Sequence, residues 1–259
     1  MTENKKLGRA MPYLTVFAML IVWELTCILL AVPSFVLPRP SIVAISLYQN
    51  FGTIWFHAER TLLTTLLGFA LAVVVGVILG ILVGSSRLIY QGLYPVLIGF
   101  NSVPKVALVP LMVVWFGIGY VPAVLTAFML SFFPIAVNIA TGIATLEPEL
   151  QDVLRSLGAS RLDVIRRVGL PRSLPYFFAS LKIAITLAFV GSVISETLAS
   201  DRGIGALVEQ ASANFKIPLV FAGLVVVATL GIAMYAIFAY MEKRMTHWAT
   251  RTIEFGIGG

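Results

Sequence analysis

Three ionisable side chains, Glu24, Lys105 and Glu196, fall within or at the ends of long apolar runs, in company with Asn101, Ser102, Asn138, Ser192 and Ser195. A charge at bilayer depth costs about 3 kcal/mol even on a mild insertion scale, so each must find water, carbonyls or an opposite charge. Residues of these types offer hydrogen bonds and charge to a polar solute or a coupling ion. They offer no bond chemistry. The sequence lacks a GxxxxGK[ST] phosphate cradle, HExxH and GxSxG, and no His, Asp and Ser set is spaced for hydrolysis. The glycines of GILVGSS and FGIGG have no strand before a helix, so they do not indicate a dinucleotide site. One cysteine, Cys27, and two histidines, His57 and His247, leave no intrachain disulfide and no ligand set for a structural zinc.

The elements that must position these residues are membrane helices. Of 259 residues, 59% are hydrophobic and 12% charged, and the mean hydropathy is +0.97; a soluble domain carries about 25% charge. The net charge of +6 is not a nucleic-acid signal, because the basic residues gather at the ends of apolar runs without interleaved aromatics. The first span is expected over Pro12 to Val32, interrupted by Glu24, whose hydrogen bond to a neighbouring helix is the expected role. Pro33 to Glu59 follows as an interfacial segment, with Ser41 capping an amphipathic helix and Trp55 and His57 at the interface.

The second span, Arg60 to Gly84, carries Gly68, Gly76, Gly80 and Gly84 on one face, a stripe suited to close packing within the chain. After a polar loop from Ser85 to Gly92, the third span, Leu93 to Gly117, is broken by Asn101, Ser102, Pro104, Lys105 and Pro110. Lipid-facing helices avoid this combination, so that face should look into a protein-lined or watered cavity. The fourth, fifth and sixth spans are expected over Val121 to Thr145, Ser173 to Ser200 and Pro218 to Glu242, with a loop from Asp201 to Lys216.

Six spans place both termini on one side. That side then receives Lys5, Lys6, Arg9, Arg87, Arg155, Arg161, Arg166, Arg167, Arg172, Lys243, Arg244 and Arg251, against Arg39, Arg60, Arg202 and Lys216 on the other. Twelve basic residues against four make the terminal side cytoplasmic. The organisation expected is a cytoplasmic tail over residues 1–11, a single membrane domain over 12–245, and a cytoplasmic tail over 246–259.

A charged island, Glu147 to Pro171, lies on that same side. Leu150, Val153, Leu154 and Leu157 fall on one face of a short helix, Gly158 ends it in a left-handed turn, and Ser160 with Asp163 forms a capping box for a second helix. Pro171 limits its continuation. Such a pair of helices fits two readings, a loop lying on lipid headgroups or a docking element.

At this island the sequence resembles a family. Asp152-Val153-Leu154, three residues, Gly158, nine residues and Val168-Gly169-Leu170-Pro171 follow the spacing of the EAA-x3-G-x9-I-x-LP loop of bacterial ABC-importer permeases. Val153 and Leu154 replace the alanines. VPKVALVPLMVVWFGIG from Val103, FFPIAVNIATGI from Phe132, GASRLDVIRRVGLPRSLP from Gly158 and ETLASDRGIGALV from Glu196 are similar to the nitrate, sulfonate and taurine type.

The resemblance implies an all-α membrane protein of the type I importer kind, a bundle of about six helices with a cytoplasmic two-helix coupling loop over 147–171. It implies two ATPase subunits that hold ATP and Mg, with no cofactor on this chain, together with a second permease copy and an extracytoplasmic solute-binding protein in the bacterial inner membrane. Asp152, Val153, Leu154, Leu157, Gly158, Ala159, Ser160, Val168, Leu170 and Pro171 are then the ATPase-coupling residues. Asn101, Ser102, Lys105, Asn138, Ser192, Ser195 and Glu196 are candidates for the translocation path of a small anion such as nitrate, a sulfonate or taurine. Lys105 keeps two readings, helping an anion to pass or pairing with Glu24 or Glu196. The competing functional reading is a stand-alone secondary transporter or channel, in which Glu24, Lys105 and Glu196 bind coupling ions.

Overall fold

Hydrocarbon leaves no water to satisfy backbone groups, so apolar runs of this length fold into helices that bond their own N–H and C=O groups. In the computed structural model, which describes residues 3–144, 156–158, 160, 163, 167 and 170–246, the described residues form nine α-helices. They are α1 (Glu3–Leu29), α2 (Pro40–Gln49), α3 (Phe51–Gly84), α4 (Arg87–Ser102), α5 (Val109–Phe116), α6 (Tyr120–Ala144), α7 (Leu170–Ala199), α8 (Ile204–Ala213) and α9 (Ile217–Met245). Five are long and apolar enough to cross a membrane, and the bent pair from Arg87 to Phe116 makes a sixth if taken as one span, in agreement with the expected bundle.

Several boundaries differ from those expected. The interfacial segment is only α2, and α3 takes in Phe51 to Glu59 as well, giving 34 residues, about 51 Å at 1.5 Å per residue. Ser41 is not the cap of α2. Arg39 holds the cap position with no side-chain bond. Glu24 of α1 supplies the acceptor, taking the Ser41 N–H at 3.0 Å and the Ser41 hydroxyl at 2.7 Å. The polar loop after α3 shrinks because α4 already starts at Arg87, and the loop expected from Asp201 to Lys216 contains α8. Pro218 lies in the first turn of α9 as expected.

The core is the junction of α3, α6 and α7. A Cβ placed on Gly68 would stand 2.5 Å from the Ala127 Cβ, on Gly76 2.8 Å from that of Ile135, and on Gly80 2.7 Å from that of Ile139. The glycine stripe therefore packs within the chain, and the order of contacts makes α3 and α6 parallel. Gly142 meets Ser173, and Gly191 meets Leu130 and the Thr126 carbonyl, so α7 runs back antiparallel to α6. Phe69, Phe132, Ile135, Phe178, Ile185 and Phe189 fill the space between. Near the α8 end, Val43, Ile54, Leu207 and Ala222 form a smaller cluster joining α2, α3, α8 and α9. At the opposite end Lys182 of α7 pairs with Glu242 of α9 at 2.5 Å.

Candidate functional site

Glu196 anchors the most heavily hydrogen-bonded position in the interior. Its side chain is 1% exposed. It accepts from the Thr61 hydroxyl at 2.7 Å, the Thr64 hydroxyl at 3.0 Å and the Gly205 N–H at 3.4 Å. Thr61 in turn accepts the Ile204 N–H at 2.8 Å. The His57 Nδ1 lies 2.9 Å from the Gly203 carbonyl and 3.2 Å from its N–H, so either tautomer holds that turn. Gly203 takes φ +119° and a Cβ there would collide with the Glu196 carboxyl group, which leaves glycine as the fitting residue. Arg202 lies 3.8 Å above the Phe56 ring. The start of α8 is thus bolted to α3 from both sides, with unpaired N–H groups at a helix N-terminus finding a carboxyl acceptor.

Both oxygens of Glu196, a candidate for the translocation path, are committed to α3 and α8. His57 is buried, not interfacial, at 8% exposure. Ser192 and Ser195 are buried with Glu196 along α7, at 0% and 1% exposure, and their hydroxyls have no hydrogen-bond partner among the described residues.

Asn101, Ser102 and Lys105 gather elsewhere, where the third span bends by 74°. Pro104 supplies no N–H to continue α4, and a 3₁₀ turn from Lys105 to Leu108 leads into α5. The Lys105 ammonium donates to the Asn101 carbonyl at 3.0 Å and to its Oδ1 at 2.8 Å. Neither Glu24 nor Glu196 takes part, so the structure shows no contact for the pairing that was one of the two readings of Lys105: Glu24 is spent on Ser41 and Glu196 on Thr61 and Thr64. Lys105 is 6% exposed, while Asn101 and Ser102 are exposed and α4 has no buried residue. Asn138 is half-buried on α6 and donates to the Pro134 carbonyl at 2.8 Å, apart from both groups in its bonding. Among the described residues, no three of His, Cys, Asp and Glu come together to hold a metal.

Of the coupling residues, Asp152, Val153, Leu154, Ala159 and Val168 lie outside the described residues. Gly158 has φ +85°, the left-handed turn that its position demands. The Ser160 hydroxyl donates to Asp163 Oδ2 at 2.5 Å, the Ser160 N–H donates to the same oxygen at 3.2 Å, and the Asp163 N–H returns to the Ser160 hydroxyl at 3.2 Å. This is the reciprocal capping box read from the sequence. Leu157 is 79% exposed. Leu170 and Pro171 form the first turn of α7, where proline's missing N–H costs nothing.

Sequence reasoning missed Thr61 and Thr64 as partners of Glu196, and His57 as the partner of the Gly203 turn beside it. The signal was present: positions 57, 61 and 64 fall at helical spacings of four and three, a polar stripe along one face of the first part of α3.

Residues 72–247 match the family described as binding-protein-dependent transport system inner membrane component. The chain is 34% identical to the riboflavin transport system permease protein RibX of Chloroflexus aurantiacus over 236 residues, covering 90% of this chain and 88% of that one. It is 30% identical to the taurine transport system permease protein TauC of Escherichia coli, again over 90% and 88%. To the formylaminopyrimidine transport permease protein ThiX of Halalkalibacterium halodurans it is 28% identical, over 92% and 95%. A chain from an inward-facing crystal form of the MetNI methionine ABC transporter superposes with a TM-score of 0.62 at 19% identity, covering 75% of this chain and 98% of that one, a likeness of fold. A helical bundle with a broken third span and a capped turn between α6 and α7, matched over most of its length, belongs to the inner membrane components of binding-protein-dependent transport systems, as a multi-pass ABC-importer permease subunit.

Proposed function

We propose that this chain, used twice, forms the membrane path of an ATP-driven importer for a small anionic solute. An extracytoplasmic binding protein delivers the solute, and two ATPase subunits holding ATP and Mg dock on the segment from 147 to 171. Closure of the ATPases is passed through that segment to α7 and moves the bundle between its two facings. The basic-residue count favours both termini and the segment facing the cytoplasm. The observation that carries this reading is the Gly158 turn followed by the Ser160–Asp163 box: a helix stop and a helix start in immediate succession are the punctuation that the sequence pattern of a two-helix docking element calls for, and such an element suits a groove on a partner.

The names of the relatives span riboflavin, taurine and a formylaminopyrimidine, so the solute is not carried over by name. The anionic reading rests on Lys105, a buried cation whose bonds go to the neutral Asn101, beside the exposed Asn101 and Ser102 at a broken span.

The test is co-purification with the ATPase of the same transport system. Gly158→Val puts a β-branched residue at a left-handed position and should abolish recovery of the complex, while Gly158→Asn, which tolerates that region, should keep it. Full recovery with valine, or ion-driven uptake by this chain alone in vesicles, would refute the reading.

A further inference from the structure

Helix α8 ends in a way that ordinarily asks for glycine. The Lys216 N–H donates to the Ala211 carbonyl at 2.8 Å and the Phe215 N–H to the Ser212 carbonyl at 3.0 Å, the two bonds of a Schellman stop, whose turning residue adopts left-handed angles. That residue is Phe215, at φ +56°. Glycine would sit there without the steric penalty that a Cβ incurs. The fold gains no packing from the ring in exchange, since Phe215 is 79% exposed.

Lipid does not account for the ring either. Lys243 and Arg244 close the last turn of α9, and a hydrocarbon core of about 30 Å takes about 20 residues of helix from there, which ends near Ala222. Ile217, where α9 begins, then stands about 8 Å farther out, and Phe215 precedes it. Its surroundings are polar: Glu209, Gln210, Asn214 and Lys216 are all exposed. A large rigid side chain within a polar rim has the make-up of a protein-docking anchor. The corner that carries it is preorganised, because Glu196, Thr61 and His57 hold the other end of α8 on α3, and preorganisation lowers the cost of binding.

We propose that Phe215, rimmed by Gln210, Asn214 and Lys216, is an anchor on which the extracytoplasmic solute-binding protein docks. This rests on the function proposed above, which puts the α8 end outside the cytoplasm. The family's transport is binding-protein-dependent, and this end lies opposite the coupling segment.

The experiment uses the assembled transporter in nanodiscs and the system's own binding protein, fluorescently labelled. Phe215→Gly relieves the backbone while deleting the ring, so the thermal midpoint should hold or rise while affinity for the binding protein falls by about tenfold or more, the loss typical of an anchor residue. Phe215→Tyr should retain affinity. Unchanged affinity in Phe215→Gly overturns the proposal, and so does a lowered midpoint with unchanged affinity, which would make the ring a membrane anchor. If the unaltered transporter binds no binding protein at all, the functional reading itself falls, and this inference with it.

Discussion

Replacing Glu196 by alanine removes the acceptor that joins three helices, and the geometry limits what that costs. The Thr61 and Thr64 hydroxyls lose bonds of 2.7 and 3.0 Å, each worth about 1 kcal/mol net. Neither hydroxyl is stranded: Thr61 has the His57 carbonyl at 3.3 Å, and Thr64 has the Thr61 carbonyl at 3.1 Å. The Gly205 N–H, 3.4 Å from Glu196, is left without that acceptor, at about 1 kcal/mol, the low end for a buried donor. With some cavity cost added, Glu196→Ala should lose about 4 kcal/mol. Glutamine keeps the volume and one acceptor oxygen, so Glu196→Gln should lose about 1–2 kcal/mol. Denaturant titration in mixed micelles measures the gap between the two, and hydrogen exchange over Ile204–Ala213 should quicken in the alanine variant first. Equal stability of the two variants with α8 still protected would refute a structural role for the node.

The glycine stripe and the Lys105 bend each carry an expected outcome. Gly68→Ala would place a Cβ 2.5 Å from the Ala127 Cβ and 2.6 Å from the Val124 carbonyl, where about 3.5–4.0 Å is ordinary. It should destabilise by about 1–3 kcal/mol, whereas Gly52→Ala, with nothing within 4 Å, should gain up to about 1 kcal/mol of helix propensity. Thermal shifts of the same sign and size would contradict the close-packed stripe. Lys105→Gln keeps a side chain able to bond Asn101 but removes the charge, so uptake of labelled carboxylates or sulfonates should fall about tenfold at low concentration, as about 1.4 kcal/mol of lost attraction requires. Unchanged uptake would reduce Lys105 to a clasp on the bend.

What could be read in the sequence is what depends on neighbours along the chain. The Gly158 turn and the Ser160–Asp163 box involve residues three apart, the glycine stripe repeats every four, and Pro104 breaks its own span; the structure carries each of them. Partnerships across the sequence were not readable. Glu196 finds Thr61 at a separation of 135 residues, and Lys182 finds Glu242, through a packing arrangement that no local pattern fixes. Helix ends failed for a related reason. Polar residues at 85–92 and 201–216 suggested loops, yet α4 and α8 begin inside those stretches, because a helix at the membrane boundary has no need to be apolar.

The polar residues inside the membrane divide by whether the chain itself answers them. Glu24 is answered by Ser41, Glu196 by Thr61, Thr64 and Gly205, and Lys182 by Glu242; each bond joins two different helices, so each is spent on holding the bundle together. Among the described residues, Lys105 is answered within its own bend, by Asn101. Beside it, Asn101 and Ser102 stay exposed on a helix with no buried residue, where lipid is an unfavourable neighbour for an amide, a hydroxyl and a broken backbone alike. Glu196 is thus a tie between three helices, and the exposed polar groups at the bend, Asn101 and Ser102 beside Lys105, are those that the proposed path would draw on.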